Sequence, residues 1–132
     1  VVGSRSGLPR LTPPPTPTPT FTPTLAYNWT GTWTTSHGVT DMMHETYIVS
    51  LVQTGMTVSG SFSQGAFVVT LSGTLSADGS TLTGVWSDPP NTGPFVFKMT
   101  SMNKFIGNRN SGFYEWCGSR SGASLPSPCM GP

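Results

Sequence analysis

Four titratable side chains fall within nine consecutive positions: His37, Asp41, His44 and Glu45. Neutral imidazole and carboxylate groups are ligands for divalent metal ions, so His37, Asp41 and His44 are the candidate metal ligands of this chain. Their spacing, His-x3-Asp-x2-His-Glu, matches no metal motif that has a mechanism. We therefore expect a solvent-exposed polar loop between the first two strands, with no metal and no other cofactor.

Motifs for nucleophilic and nucleotide chemistry do not occur in the sequence. Serine is frequent, but there is no Gly-x-Ser-x-Gly elbow. There is also no phosphate-binding loop and no dinucleotide fingerprint. The sequence therefore favours a protein that is not an enzyme.

A five-residue pattern of large apolar, small, Gly, small and large apolar residues recurs along the chain, first as Trp29-Thr30-Gly31-Thr32-Trp33. Apolar residues two and four positions apart share one face of a strand, while Ser and Thr suit the solvated face. The central Gly permits the sharp coiling of a small barrel and lets a large cross-strand side chain lie over it. Further copies are Val58–Phe62, Leu71–Leu75 and Leu82–Trp86, and copies with a final Arg are Phe105–Arg109 and Trp116–Arg120.

Regular alternation of apolar and polar residues after Tyr27 predicts eight short strands and no helix. Turn signals such as Asp78-Gly79 favour hairpins between consecutive strands. We predict an all-β fold, a single eight-stranded antiparallel up-and-down barrel or barrel-like sandwich with an extended Pro/Thr-rich N-terminal arm. The predicted parts are a strand-like arm (1–11), a Pro/Thr-rich polyproline II linker (12–25), the barrel (26–120) and an irregular C-terminal tail (121–132).

Gly31 and Trp33 on the first strand, with Arg120 at the end of the last, resemble the calycin superfamily of lipocalins and avidins. The resemblance implies that Arg120 packs over Trp33 and closes the barrel through a cation–π contact. It also implies an alternative function, a stalked module that binds a small hydrophobic ligand or a sugar. Rather than a large cavity, we expect an interior filled by aromatic side chains: Trp29, Trp33, Phe62, Trp86, Phe95, Phe97 and Trp116.

Composition indicates an exported protein without nucleic-acid partners or a transmembrane segment. Only 8% of the residues are charged and the net charge is +1, which is not the basic footprint of a nucleic-acid-binding domain. No apolar run approaches the roughly 20 residues of a transmembrane helix. Abundant Thr, Ser and Gly, and a start at Val1 that fits signal-peptide removal, predict a secreted, extracellular or cell-surface protein. There we expect Cys117 and Cys129 to form one disulfide.

Residues 9–24 form a low-complexity Pro/Thr segment that contains seven of the thirteen prolines. Proline fixes the backbone and removes a hydrogen-bond donor, so this composition predicts an extended polyproline II spacer. Alternating Thr and Pro is also typical of O-glycosylated stalks. The candidate attachment points for covalent glycans are Thr12, Thr16, Thr18, Thr20, Thr22 and Thr24.

The N-terminal arm repeats part of the last strand, because the sequence of Gly3–Gly7 recurs as Gly118–Gly122. A strand on a stiff spacer can join a neighbour's sheet through main-chain hydrogen bonds, and such a head-to-tail contact generates an open filament. This resembles donor-strand pilins in mode of assembly. We therefore expect a structural subunit of an extracellular fibre or appendage whose partners are identical subunits; the alternatives are pairing of the arm with its own barrel or a chance match. The predicted assembly residues are Val1, Val2, Gly3, Ser4 and Arg5.

Overall fold

Eight antiparallel strands close into a barrel in chain order. They are β1 (Gly31–Gly38), β2 (His44–Thr54), β3 (Thr57–Gln64), β4 (Phe67–Leu75), β5 (Thr81–Asp88), β6 (Asn91–Ser101), β7 (Lys104–Arg109) and β8 (Tyr114–Ser119). Each strand pairs with the next, and β8 pairs with β1 to complete the barrel. The computed structural model describes residues 27–39 and 44–131, and none of these residues is helical. The predicted all-β, eight-stranded antiparallel barrel is confirmed.

Several of the sequence predictions fall outside the described residues. The assembly arm, the linker and its threonine glycan sites lie in residues 1–26, and Asp41 lies in the undescribed segment 40–43. Within the described residues, no helix is long and apolar enough to cross a bilayer.

The two ends of the barrel differ in how their interior is filled. The closed end carries the β2–β3, β4–β5 and β6–β7 turns, and the open end carries the hairpins between the other consecutive strands. At the closed end Trp29 and Trp33 are fully buried, and the Trp33 ring meets Phe105 edge-on at 5.1 Å between ring centroids. The Trp29 indole donates to the Gly79 carbonyl at 2.8 Å, and the Trp33 indole donates to the Trp29 carbonyl at 2.9 Å. Trp29 therefore caps this end with its polar atoms satisfied.

The recurring glycines lie on the inner face, where neighbouring strands approach closely. Gly73 on β4 and Gly84 on β5 are register partners. A Cβ on Gly73 would lie 2.8 Å from the Leu82 side chain and 3.1 Å from Gly84 Cα. Each glycine thus makes room for a large neighbour or for backbone, in the way that the five-residue pattern predicts.

The predicted polar loop of residues 37–45 is wrong for four of its five described residues, which lie in strands. β1 begins at Gly31 and continues through His37 to Gly38, and β2 already begins at His44. Glu45 pairs with His37 in the register of the two strands. At the open end of the barrel, polar residues such as His37 and Glu45 point inward. The alternation of apolar and polar residues by which a strand is predicted is therefore absent there.

The C-terminal tail is tied to the outside of the barrel next to the junction of β8 and β1. The predicted disulfide between Cys117 and Cys129 is present, with the two Cα atoms 5.0 Å apart. Met130 forms a parallel bridge with Gly107, and the Gly131 amide donates to the Gly107 carbonyl at 3.1 Å. The tail therefore covers the outer face of β8, which is buried on both faces.

Candidate functional site

A pocket of about 360 Å³ enters the barrel at the open end. Its inner end is formed by the buried side chains of Phe62 and Val69. Because strand pairing places the inward residues of seven strands around one opening, the wall combines residues that are far apart in sequence. This open-end pocket is walled by His37 (β1), Tyr47 (β2), Gln64 (β3), Trp86 (β5), Arg109 (β7) and Tyr114 (β8).

His37 is a buried polar group of the pocket wall, with only 6% of its surface exposed. Its ring stacks on Tyr114 at 5.3 Å and meets the Trp116 edge at 5.2 Å between centroids. Burial, followed by the positive charges of Arg109 and His44, lowers the pKa of His37 from 6.5 to about 4. The imidazole is therefore neutral at neutral pH, and its Nε2 atom has no hydrogen-bond partner in the part of the chain that the structure describes.

Arg109 supplies the positive charge of the open-end pocket. Its guanidinium carbon lies 4.8 Å from the Trp86 ring centroid and 4.5 Å from that of Tyr114, which are cation–π distances. Burial lowers the pKa of Arg109, but a guanidinium remains charged at any physiological pH. Its side chain forms a hydrogen bond with Tyr114. Its buried Nε atom has no hydrogen-bond partner among the described residues, so part of its donor capacity is unused.

A second set of polar groups lies on β2 and β3. The Tyr47 hydroxyl donates to the Glu45 carboxylate, and it accepts a hydrogen bond of 3.2 Å from Gln64 Nε2. Burial and the carboxylate both raise the pKa of Tyr47, so the phenol stays protonated. Glu45 is exposed and lines the outer part of the pocket together with Asp88. The pocket thus has a cationic group inside and carboxylates at its rim.

The structure separates the candidate metal ligands His37 and His44. His37 pairs with Glu45 and Gly38 pairs with His44, so the two imidazoles lie on opposite faces of the sheet. Within residues 27–39 and 44–131, no three His, Cys, Asp or Glu side chains are grouped so that they could hold a metal ion.

His44 instead pairs with Glu115 on the outside of the barrel. Its Nε2 atom lies 2.5 Å from Glu115 Oε1. Gly38 of β1 lies in register with both residues. Because Gly38 has no side chain, the side chains of His44 on β2 and Glu115 on β8 can meet over the β1 backbone. Sequence reasoning missed this pair, since no local pattern links residues so far apart in the chain.

Arg120 lies at the opposite end of the barrel from the open-end pocket. Its guanidinium carbon is 4.2 Å from the Trp33 ring centroid. Its nitrogens donate to the carbonyls of Thr30 at 2.9 Å and Met102 at 2.7 Å. A Cβ on Gly31 would lie 3.5 Å from the same guanidinium. These are the three residues on which the calycin resemblance of the sequence depends.

Comparisons with protein-family models, with curated proteins and with solved structures find no match for this chain. The likeness to calycins therefore consists of the closed eight-stranded antiparallel barrel and the Gly31, Trp33 and Arg120 cluster. The open-end pocket has to be interpreted from its own geometry and charges.

Arg109 is the pocket residue that the sequence came nearest to revealing. The five-residue pattern ends in Arg twice, at Arg109 and at Arg120. Because β7 and β8 are antiparallel, these equivalent positions lie at opposite ends of the barrel. The pattern together with the observed pairing thus places one arginine at each end, whereas the sequence assigned a role only to Arg120, through the calycin resemblance.

Acidification is expected to destabilise the protein through His37. The unfolded state binds more protons than the folded state between pH 6.5 and about 4, so this contribution is complete above pH 6.5 and is lost as the pH falls to 4. The loss is up to about 3 kcal/mol. Urea denaturation at pH 7.0, 5.5 and 4.5 measures it, with His37→Asn as the non-titrating control. Equal pH dependence in the two proteins would contradict the assignment to His37.

Proposed function

We propose that the barrel is a binding module for a small molecule and that the open-end pocket is its binding site. One observation carries this proposal: two buried nitrogens of the pocket wall, His37 Nε2 and Arg109 Nε, have no hydrogen-bond partner within residues 27–39 and 44–131. An unsatisfied buried polar group costs about 1–3 kcal/mol, and each such group in a native protein needs a reason. A ligand that accepts or donates hydrogen bonds at these two nitrogens supplies that reason.

The size and lining of the pocket limit the ligand class. A volume of about 360 Å³ lies at the lower end of the roughly 300–1,000 Å³ typical of ligand pockets. Tyr47 and Trp86 offer flat apolar walls, whereas Gln64 offers an amide. None of the residues that line the pocket belongs to the closed end, so the pocket does not suit a long acyl chain. The ligand is therefore the size of a single aromatic ring or a monosaccharide.

Indole signals in a two-dimensional NMR spectrum provide the test, because the four tryptophans report on both ends of the barrel. Titration with a panel of monosaccharides and single-ring alcohols, amides and acids is expected to shift the Trp86 indole signal. The Trp29 and Trp33 signals at the closed end should stay unchanged and serve as the internal control. The proposal fails if no compound shifts Trp86 at millimolar concentration, or if the closed-end signals respond instead.

The head-to-tail fibre is a second proposal, supported by the copy of Gly3–Gly7 in Gly118–Gly122. The centre of that copied segment, Arg120, holds the closed end together. All eight described strands are paired on both sides, so among them no sheet edge is free and the arm would have to dock elsewhere on a neighbour. Secretion and glycans on the linker belong to the same proposal. Electron microscopy of the full chain and of a version lacking residues 1–11 tests it, since filaments in neither sample would overturn it.

A further inference from the structure

We propose that the ligand of the open-end pocket is a small aromatic monocarboxylate whose carboxylate binds at the edge of the Arg109 guanidinium. This inference rests on the proposed function, because it names the chemical class that the same pocket takes. It depends on the position of Arg109 in the strand order, on the free nitrogens of Arg109 and His37, and on the carboxylates at the rim.

Tyr114 uses part of the guanidinium edge of Arg109 through a side-chain hydrogen bond, and the rest of that edge, which includes the unpartnered Nε atom, is the place for a ligand. Trp86 on β5 lies to one side of it in the strand order and Tyr114 on β8 lies to the other, each with its ring at cation–π distance. Rings at such distances interact with the face of a guanidinium, whereas its N–H groups point outward in the plane. A planar acceptor with two oxygens fits such an edge.

No acidic residue of the described chain fills that position. Among residues 27–39 and 44–131, the ion pair of the structure is His44–Glu115 on the outer face. Glu45 at the rim attracts Arg109 without forming an ion pair with it. Among the described residues, this partly buried cation therefore has no carboxylate in direct contact, and a buried charge is stabilised by a partner of opposite sign. An anionic ligand supplies the negative charge that this partner position requires.

His37 is placed to contact the same ligand. It lines the pocket with Arg109, it is more than nine-tenths buried, and its Nε2 atom has no hydrogen-bond partner among the described residues. When that nitrogen carries the imidazole proton, it donates a hydrogen bond to an oxygen of the carboxylate. A single carboxylate then accepts hydrogen bonds from both buried nitrogens, Arg109 Nε and His37 Nε2.

The negative charges at the rim of the pocket favour a carboxylate ligand over a phosphate ligand. Glu45 and Asp88 line the outer part of the pocket and repel any anion that enters. A carboxylate carries one negative charge, whereas a phosphate monoester carries close to two and meets about twice the repulsion. A single charge is also sufficient to neutralise Arg109. We therefore assign a monocarboxylate.

Aromatic side chains surround the space next to the guanidinium. Tyr47, Phe62, Trp86 and Tyr114 all line the pocket. Offset and edge-to-face contacts between aromatic rings contribute about 0.5–1.5 kcal/mol beyond the burial of area. A single-ring body that bears the carboxylate uses these walls and fits about 360 Å³.

Benzoate and its neutral isostere benzamide test the inference on the full-length protein by calorimetry and by the Trp86 indole signal. Benzoate is expected to bind about 10–100-fold more tightly than benzamide, as one charge-assisted contact predicts. Arg109→Met should abolish this preference, and Arg109→Lys should retain part of it because the charge remains. Lys98→Met removes an equal charge from the exposed outer face of β6 and should leave the preference unchanged.

Each contrary result has a distinct meaning. If benzamide binds as tightly as benzoate and shifts Trp86, the pocket binds ligands but the carboxylate assignment is overturned. Tighter binding of phenylphosphonate than of benzoate would overturn the preference for a single charge. If no compound of the wider panel shifts Trp86, the proposed function itself fails. The comparison of benzoate with benzamide on the unmodified protein needs no variant, so it stands even if Arg109→Met does not fold.

Discussion

Gly84→Ala is expected to destabilise the barrel by about 3 kcal/mol or more. A Cβ at this position would overlap the Ser72 carbonyl oxygen and lie 2.6 Å from Gly73 Cα. Both obstacles are backbone atoms, which cannot move away by a change of rotamer. The strands β4 and β5 would have to separate where they are in register, and the hydrogen bonds of the barrel would be lost with them. Urea denaturation followed by tryptophan fluorescence measures the change.

Gly55→Ala is the matched control for that variant. Gly55 has a φ of +61° in the β2–β3 turn, and nothing lies within 4 Å of the position of its Cβ. Its substitution costs only the left-handed backbone penalty, about 1–2 kcal/mol. Similar losses in both variants would show that the interior of the barrel tolerates a methyl group, and the close approach of β4 and β5 would then have no energetic role.

Arg120→Met is expected to lower the free energy of unfolding by about 3 kcal/mol. The substitution removes a guanidinium that contacts Trp33 and donates to the carbonyls of Thr30 and Met102. Hydrogen bonds to a charged group contribute about 1.5–3 kcal/mol, and the cation–π contact adds about 0.5–2 kcal/mol. Because methionine has an unbranched side chain of similar length, the decrease in the free energy of unfolding measures mainly the loss of the polar and cation–π contacts of Arg120. The same denaturation experiment measures it.

Two further variants separate charge from geometry at this position. Arg120→Lys retains the positive charge but cannot reach several carbonyls at once, so it should lie between the wild type and Arg120→Met. Lys104→Met removes an equal charge that makes one exposed hydrogen bond to Ser124, and it should change stability by less than about 0.5 kcal/mol. If Arg120→Lys matches the wild type, the fork geometry of the guanidinium is unimportant for closing the barrel.

Most of the fold follows from local rules that act within a few residues. Alternating apolar residues such as Tyr47, Val49 and Leu51 are buried on one face of β2. Asp78 and Gly79 lie in the β4–β5 turn, where Gly79 has a φ of +82°. Each strand pairs with its neighbour in sequence, so the order of the barrel requires no long-range information except at its closure. These are the features that the sequence predicts.

The open-end pocket could not be predicted in the same way. Its lining takes inward residues from seven of the eight strands, and their meeting depends on the stagger of the whole barrel. His37 and Glu45 are polar at inward positions, so a pattern based on hydropathy assigns them to a loop. The seven aromatic side chains expected to fill the interior are all buried in one core cluster. Two of them, Phe62 and Trp86, also line the pocket, which the expectation did not include. Polar residues aimed into a barrel are the kind of local inconsistency that marks functional sites.

The junction of β1 and β8 is the one pairing that joins distant parts of the described chain. Arg120 and Thr30, which meet there, are 90 residues apart. Closing a chain of that length costs about 2 kcal/mol more entropy than forming one of the hairpins. The seven hairpins can therefore assemble first, with closure as the late step of folding. Contacts that form after the rate-limiting barrier slow unfolding without accelerating folding. Arg120 and the His44–Glu115 pair, which both bridge this junction, thus act as determinants of the lifetime of the native barrel.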